Sequence, residues 1–370
     1  MMLIRFNYRH MLVWACLCVT VFGRPSDEFE FRGHTGPQDF AVAYRLFVPP
    51  AYAPPQRLPI VITLHGVGEN GTDNVQHIEN YPIAEIWAED SVQSTYPCFV
   101  ASPQLPSGTW TGFGWDMDTY NQSDYALSGP LATVMDLLDS LKREFCIDTN
   151  RIYLTGLSIG GFGAWDLATR FPSVFAAVIP QSGAADTSRA ESVAHLPVWA
   201  FHGALDNVVP PEGSRNMIAA LTKARGENAV YTHCRAGDCA GMSRSQIDSA
   251  VAAGADFLYT EYEDESHIMW DRSYREPQLA DWLFSKSRGN DSPIRSREHL
   301  RLSATRGKVP KESKILSLGR RAGSDIESGA TVFDMRGRYL DQIRETASLC
   351  IFRTVKRDCF VPRSGVSYLP

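Results

Sequence analysis

Between residues 153 and 163 the chain reads Tyr-Leu-Thr-Gly-Leu-Ser-Ile-Gly-Gly-Phe-Gly, an apolar run that meets Gly156-Leu157-Ser158-Ile159-Gly160. A serine with a glycine two positions to either side is the pattern of a nucleophile elbow. The strand-to-helix turn is so tight that bulky side chains are excluded at those two places, and Ser158 is lifted to the end of a sheet. The following helix aims its first backbone N–H groups and its dipole at the same spot, which makes the Ile159 amide a donor to a developing oxyanion. The plain alternative is a Gly-rich loop around a buried serine. Its flanks favour the elbow: Arg151 to Thr155 is strand-like, and Phe162 to Arg170 reads as a helix with Trp165 and Ala168 or Leu167 inward.

A serine nucleophile needs a base and an acid, and behind this elbow they come later in the chain. Residues 197–210 (Pro-Val-Trp-Ala-Phe-His-Gly-Ala-Leu-Asp-Asn-Val-Val-Pro) read as a buried strand with Asp206 just beyond its end. Residues 257–262 form a second strand, followed by Glu263-Asp264-Glu265-Ser266-His267. Open α/β sheets collect their active-site groups past the carboxyl ends of strands, so His267 is expected as base and Asp206 as the acid that orients it. His65 and His202, each in a His-Gly pair at a strand end, read as structural histidines. Asp264 and Glu265 read as solvated loop charges, and Asp186 as a weaker acid candidate.

The second oxyanion donor is expected after the strand Pro59 to Leu64, in His65-Gly66-Val67-Gly68-Glu69-Asn70-Gly71. Glycines there let the backbone turn its amides toward the site. The Val67 N–H is the favoured donor, with Gly66 as its neighbour. The stretch Trp110-Thr111-Gly112-Phe113-Gly114-Trp115-Asp116 is rich in aromatics, and Trp110, Trp115 and Trp270 are candidates for a pocket wall, with core packing as the competing role.

Together these residues resemble a known group. Leu-His-Gly-Val-Gly-Glu (64–69), Ala-Ser-Pro-Gln (101–104), the run from Ile147 to Gly161, Phe-His-Gly-Ala-Leu-Asp-Asn-Val-Val-Pro (201–210) and His-Ile-Met-Trp-Asp (267–271) look like the predicted-peptidase group of α/β-hydrolases. That group stands near the dienelactone-hydrolase, phospholipase/carboxylesterase and feruloyl-esterase groups. The resemblance covers roughly residues 30 to 287. It implies an α/β-hydrolase fold, a mostly parallel central sheet with helices on both faces, and Ser158, Asp206 and His267 as triad. It leaves esters, thioesters and peptides open as substrates. One departure is an extra stretch, roughly 231–255, between the helix Gly213 to Lys223 and the strand at Phe257. Such an insertion is expected near the mouth.

The 370-residue chain, 44% apolar, is long enough for one large core. Its formal charge of −6 hides an asymmetry: residues 287–370 carry 17 Lys and Arg against 9 Asp and Glu, leaving 19 against 33 for the rest. An acidic catalytic region argues against nucleic acid as substrate.

Residues 1–23 place Arg5 and Arg9 before the apolar run Met11 to Phe22, which reads as a secretory signal peptide, with an uncleaved anchor as the alternative. Export of the remainder is expected, with no stable membrane span after cleavage. Six cysteines then remain, and the four-residue gap makes Cys234 with Cys239 the first disulfide candidate. Cys98 and Cys146, beside apolar strands, read equally as free buried thiols. No spacing resembles a zinc site, and neither metal nor organic cofactor is expected.

The catalytic domain is expected over residues 24–287, closed by a helix from Trp270 to Phe284. Residues 288–370 form a basic tail of low order, rich in Arg, Ser, Gly and Lys at first. Within it Val332, Met335, Tyr339, Ile343, Ala347 and Cys350 recur at helical spacing, which predicts one amphipathic helix, read first as a marginal helix in a tail of low order and alternatively as a segment that contacts an anionic surface. The expectation for the whole is a secreted serine hydrolase that cleaves small carboxylic esters through an acyl-enzyme. A serine peptidase and a catalytically silent binding protein of the same fold remain the alternatives.

Overall fold

The computed structural model describes residues 24–111, 125–235, 238–240 and 243–289, together with two short strands at 332–333 and 339–340. The predicted signal peptide, Trp115 and most of the basic tail lie outside the described residues.

A 10-stranded sheet organises the chain. In chain order the strands are β1 (Glu30–Thr35), β2 (Ala41–Phe47), β3 (Leu58–Leu64), β4 (Phe99–Gln104), β5 (Ile147–Leu157), β6 (Ala177–Gln181), β7 (Val198–Gly203), β8 (Val230–Arg235), β9 (Asp238–Ala240) and β10 (Phe257–Tyr262). Across the sheet they run β1-β2-β4-β3-β5-β6-β7-β10-β8-β9. From β4 to β8 neighbouring strands are parallel, while β1, β2 and β9 add antiparallel edges. Central strands are apolar without alternation because helices cover both faces; every residue of β3 is buried.

The helices follow from their sequences. In Gly129–Glu144 the Ser128 hydroxyl accepts the Leu131 N–H, Pro130 occupies the first turn, and Lys142 and Arg143 close the last. Leu131, Val134, Leu137, Leu138 and Leu141 fall on one face and pack into the core with Ile60, Leu154 and Trp165. A second apolar cluster on the other face gathers Trp87, Tyr153, Trp199 and Trp282. The fold is the expected α/β arrangement of a mostly parallel sheet between helical layers.

Two expectations need correction, and a third gains detail. The closing helix is two helices, Trp270–Tyr274 and Leu279–Phe284, because Pro277 cannot continue a helix and disfavours it at the residue before. The extra stretch after the helix Glu212–Arg225 joins the sheet in part: β8 pairs in parallel with β10, β9 folds back on β8, and Arg244–Ala252 forms a helix. In the tail, Val332–Phe333 pairs antiparallel with Tyr339–Leu340, where the spacing predicts the start of an amphipathic helix. β-branched and aromatic residues at those positions favour extended backbone, and Gly337 between them weakens a helix.

Cys98 is a free, buried thiol that burial pushes up to about 12. Cys146, by contrast, is disulfide-bonded, and so is Cys234. The β8–β9 register sets Cys234 directly opposite Cys239. No helix among the described residues is long and apolar enough to cross a membrane.

Candidate active site

β5 ends at Leu157, and the helix Ile159–Arg170 begins at the next residue but one. Ser158 sits in the turn with φ 54° and ψ −121°, a region L residues rarely occupy, at a cost of about 1–3 kcal/mol. Close approach explains its glycines: a Cβ on Gly156 would lie 2.0 Å from the Gly160 carbonyl oxygen, and one on Gly160 would lie 1.9 Å from that of Leu64. The Ser158 N–H donates to Gln181 O at 3.0 Å, at the end of neighbouring β6, which locks the elbow to the sheet.

Asp206 and His267 leave the same edge of the sheet, because β7 and β10 are parallel neighbours with Gly203 opposite Tyr262. The two loops are tied together by Ala204 N–H to Tyr262 O and Leu205 N–H to Glu265 O, both 2.9 Å. His267 Nε2 lies 2.9 Å from Ser158 Oγ, and His267 Nδ1 lies 2.7 Å from Asp206 Oδ2. The other carboxylate oxygen, Oδ1, accepts the Val208 and Val209 N–H groups at 2.9 Å each. Burial alone raises the pKa of Asp206, but hydrogen bonds from His202, His267 and the Val209 N–H outweigh it, and the carboxyl is held well below the usual carboxylate range. A hydroxyl, an imidazole and an ionised carboxylate in this line can pass the serine proton to the ring while the carboxylate stabilises the resulting cation.

The other titratable residues take structural parts. His202 is fully buried, with Nδ1 on Ser214 Oγ at 2.7 Å and Nε2 at 2.9 Å from Val209 O. His65 is fully buried as well, and burial lowers it to about 4. Asp186 caps a short helix by accepting the Ser188 N–H, while Asp264 and Glu265 pair with Arg272.

In the loop after β3 the structure separates the two candidate donors. The Gly66 N–H is spent on Glu69 Oε2 at 2.7 Å, so Gly66 is not a free donor. Among the described residues the Val67 and Ile159 N–H groups have no hydrogen-bond partner. A Cβ on Gly66 would stand 3.5 Å from Ser158 Cβ, so this loop borders the serine directly.

The tryptophans divide. Trp110 is fully buried in the core and donates its indole N–H to His65 O at 3.0 Å, so it buttresses the loop that follows β3 and is not a pocket wall. Trp270, nearly buried, packs edge-on against the His267 ring at 5.2 Å. Glu69 is absent from the residues that spacing marks for chemistry: Gly66 has no side chain to complete a capping box, and the Glu69 carboxylate accepts the Gly66 N–H only by reaching back along its own loop. Among the described residues no group of three or more His, Cys, Asp or Glu side chains is disposed to hold a metal ion.

The chain is similar to known esterases and depolymerases. Poly(3-hydroxyalkanoate) depolymerase C of Paucimonas lemoignei is 30% identical over 132 residues, 35% of this chain and 28% of the depolymerase. The bifunctional acetylxylan esterase/xylanase XynS20E of Neocallimastix patriciarum is 24% identical over 151 residues, 41% of this chain and 20% of that protein. The chain therefore matches only a minor part of each of these relatives. The crystal structure of a thermostable esterase superposes with a TM-score of 0.59 at 33% identity, covering 71% of this chain and 64% of that one. Residues 42–263, more than half of the sequence, match the family described as Esterase PHB depolymerase, and the chain belongs to that family of α/β-hydrolases.

Proposed function

We propose that the chain is a serine esterase that cleaves carboxylic esters through an acyl-enzyme. The observation that carries this reading is the hydrogen-bonded line from Asp206 through His267 to Ser158. Ser158 Oγ attacks the ester carbonyl carbon while its proton moves to His267 Nε2, and the carbonyl π pair moves onto oxygen. The Ile159 and Val67 N–H groups are the proposed donors to that oxyanion. Collapse of the adduct breaks the C–O bond to the alcohol, which leaves with the proton from His267. Water, deprotonated by His267, then attacks the acyl-enzyme, and the acid departs as Ser158 regains its proton. Asp206 remains ionised throughout.

Ester cleavage is favoured by the family and by the names of its relatives, a poly(3-hydroxyalkanoate) depolymerase and an acetylxylan esterase. Export is part of the proposal. It is supported by Arg5 and Arg9 ahead of an apolar run and by the bonded state of Cys146 and Cys234, since disulfides persist in oxidising compartments. The cross-strand placement of Cys234 and Cys239 favours their pairing.

Labelling with a fluorophosphonate tests the reading: one mole of label per mole of protein is expected, on the peptide holding Ser158. Ser158→Ala should remove both the label and turnover of short-chain esters. Preferred turnover of peptide amides over esters would transfer the proposal to a peptidase, and a parent that takes no label would leave a silent fold.

A further inference from the structure

The peptide between Gly66 and Val67 is held by groups outside the proposed triad. Its carbonyl lies 2.6 Å from His65 Nδ1, while His65 Nε2 accepts the Leu105 N–H at 2.8 Å. Because Nε2 is an acceptor, the ring proton is on Nδ1 and donates to Gly66 O. In a trans peptide the C=O and N–H point in opposite directions. With its oxygen gripped by His65, this peptide turns the Val67 N–H away from the imidazole and leaves it without a partner among the described residues.

The preceding peptide is fixed as well. His65 O accepts the Trp110 indole N–H at 3.0 Å, and the Gly66 N–H donates to Glu69 Oε2 at 2.7 Å. Glu69 is itself buried, and burial raises its pKa even though the Gly66 amide and Asn80 oppose the shift. A buried carboxylate so close to a site where negative charge develops has no evident use as a charge. Its use is geometric: a Cβ on Gly66 would sit 3.1 Å from Glu69 Oε2 and 3.5 Å from Ser158 Cβ, so Glu69 anchors the segment that touches the serine.

We propose that Glu69 is a positioning residue for ester cleavage: by capping the Gly66 N–H it holds the loop in the one orientation that aims the Val67 N–H at the oxyanion, with His65 gripping the opposite side. This rests on the esterase reading, with Ser158 as nucleophile.

The test compares Glu69→Ala and Glu69→Gln in the full chain. Glu69→Ala frees the Gly66 amide and should lower kcat about 100-fold, the order expected for one lost oxyanion donor, with KM within about two-fold. Affinity for a trifluoromethyl ketone, whose bound adduct uses the oxyanion donors, should fall by the same factor as kcat/KM. Glu69→Gln keeps an acceptor oxygen in place and should restore kcat to within about five-fold of the parent. Should Glu69→Ala not fold, Glu69→Asp, which retracts the carboxylate by one methylene, takes its place with the same expected loss. A folded Ala or Asp variant with parental kcat, or a Gln variant as impaired as either, overturns the proposal. A parent that takes no fluorophosphonate at Ser158 would instead overturn the esterase reading beneath it.

Discussion

His202 and His267 meet on the same carboxylate oxygen: His202 Nε2 lies 3.2 Å from Asp206 Oδ2, the atom that stands 2.7 Å from His267 Nδ1. Both neighbours of His202 Nε2, Val209 O and Asp206 Oδ2, are acceptors, so that nitrogen carries a proton. The buried histidine thus helps hold Asp206 ionised and in place while His267 faces the serine.

From this arrangement the two histidines should respond differently to removal. His267→Ala should lower kcat by several powers of ten, much as Ser158→Ala does, because residues that act as a unit fail together. His202→Ala leaves His267 and Ser158 in place, and its main effect should be a loss of a few kcal/mol of stability from an emptied buried site. Kinetics beside denaturant unfolding separate the two; a folded, stable His202→Ala with kcat as low as that of His267→Ala would reassign the base.

Acid should expose Asp206 as a stabilising group. Its pKa is held below the ordinary 3.8, so the folded state binds this proton less readily than the unfolded state. That contribution is complete above the unfolded value and is lost as pH falls toward the folded one. Asp206→Asn should therefore flatten the decline of unfolding free energy below about pH 4, and it should lower turnover on the order of 10⁴-fold by disturbing the His267 tautomer. Equal acid slopes in parent and variant would contradict this account of the carboxylate.

His65 acts in a different window. It stays neutral in the folded chain down to about 4, whereas the unfolded chain protonates it near 6.5. Between those values the unfolded state binds more protons, so stability falls as pH drops through the window, by about 3 kcal/mol. Urea unfolding at pH 7, 5.5 and 4 measures the decline. A His65→Gln variant, which cannot take up the proton, should show a shallower one.

Much of the site is legible in the sequence. The β10 strand runs from Phe257 to Tyr262 as its apolar run indicates, and the places of Ser158, Asp206 and His267 at strand ends follow from runs too short and too apolar to be helices. Other features depend on tertiary approach. Trp110 belongs to an aromatic-rich stretch that looks like a pocket wall, and only its depth in the core reveals an indole serving His65 O. β8 mixes polar and apolar residues because it lies near the sheet edge, so the start of the extra stretch at Tyr231 does not read as a strand until its pairing with β10 is seen. The grip on Gly66 by His65 and Glu69 is invisible to periodicity, since it depends on side chains turning back onto their own loop.

The elbow strain is separable from its chemistry. Ser158 holds φ 54° without a glycine's freedom. Ser158→Ala and Ser158→Gly both remove the hydroxyl, so both should lack turnover, but only glycine relieves the backbone. Ser158→Gly should be more stable than Ser158→Ala by on the order of 1 kcal/mol, a shift of roughly 2–4 °C in Tm. Differential scanning calorimetry of the two variants decides it, and equal Tm values would mean that the turn carries no such strain.

Exposed apolar side chains cluster around the proposed triad in sequence and bear on ester preference. Ile268 is 59% exposed beside His267, while Leu205 and Val208 flank Asp206 at 62% and 56%. Apolar groups left in water next to reacting atoms gain by covering an apolar portion of the substrate, at about 0.8 kcal/mol per methylene buried. Ile268→Ser should therefore raise KM for butyrate and hexanoate esters by roughly four-fold or more while leaving acetate esters within about two-fold, with kcat preserved in both. Steady-state kinetics across a chain-length series of p-nitrophenyl esters supplies the measurement. A uniform change at every chain length would show that Ile268 supports the His267 loop and does not meet the acyl chain.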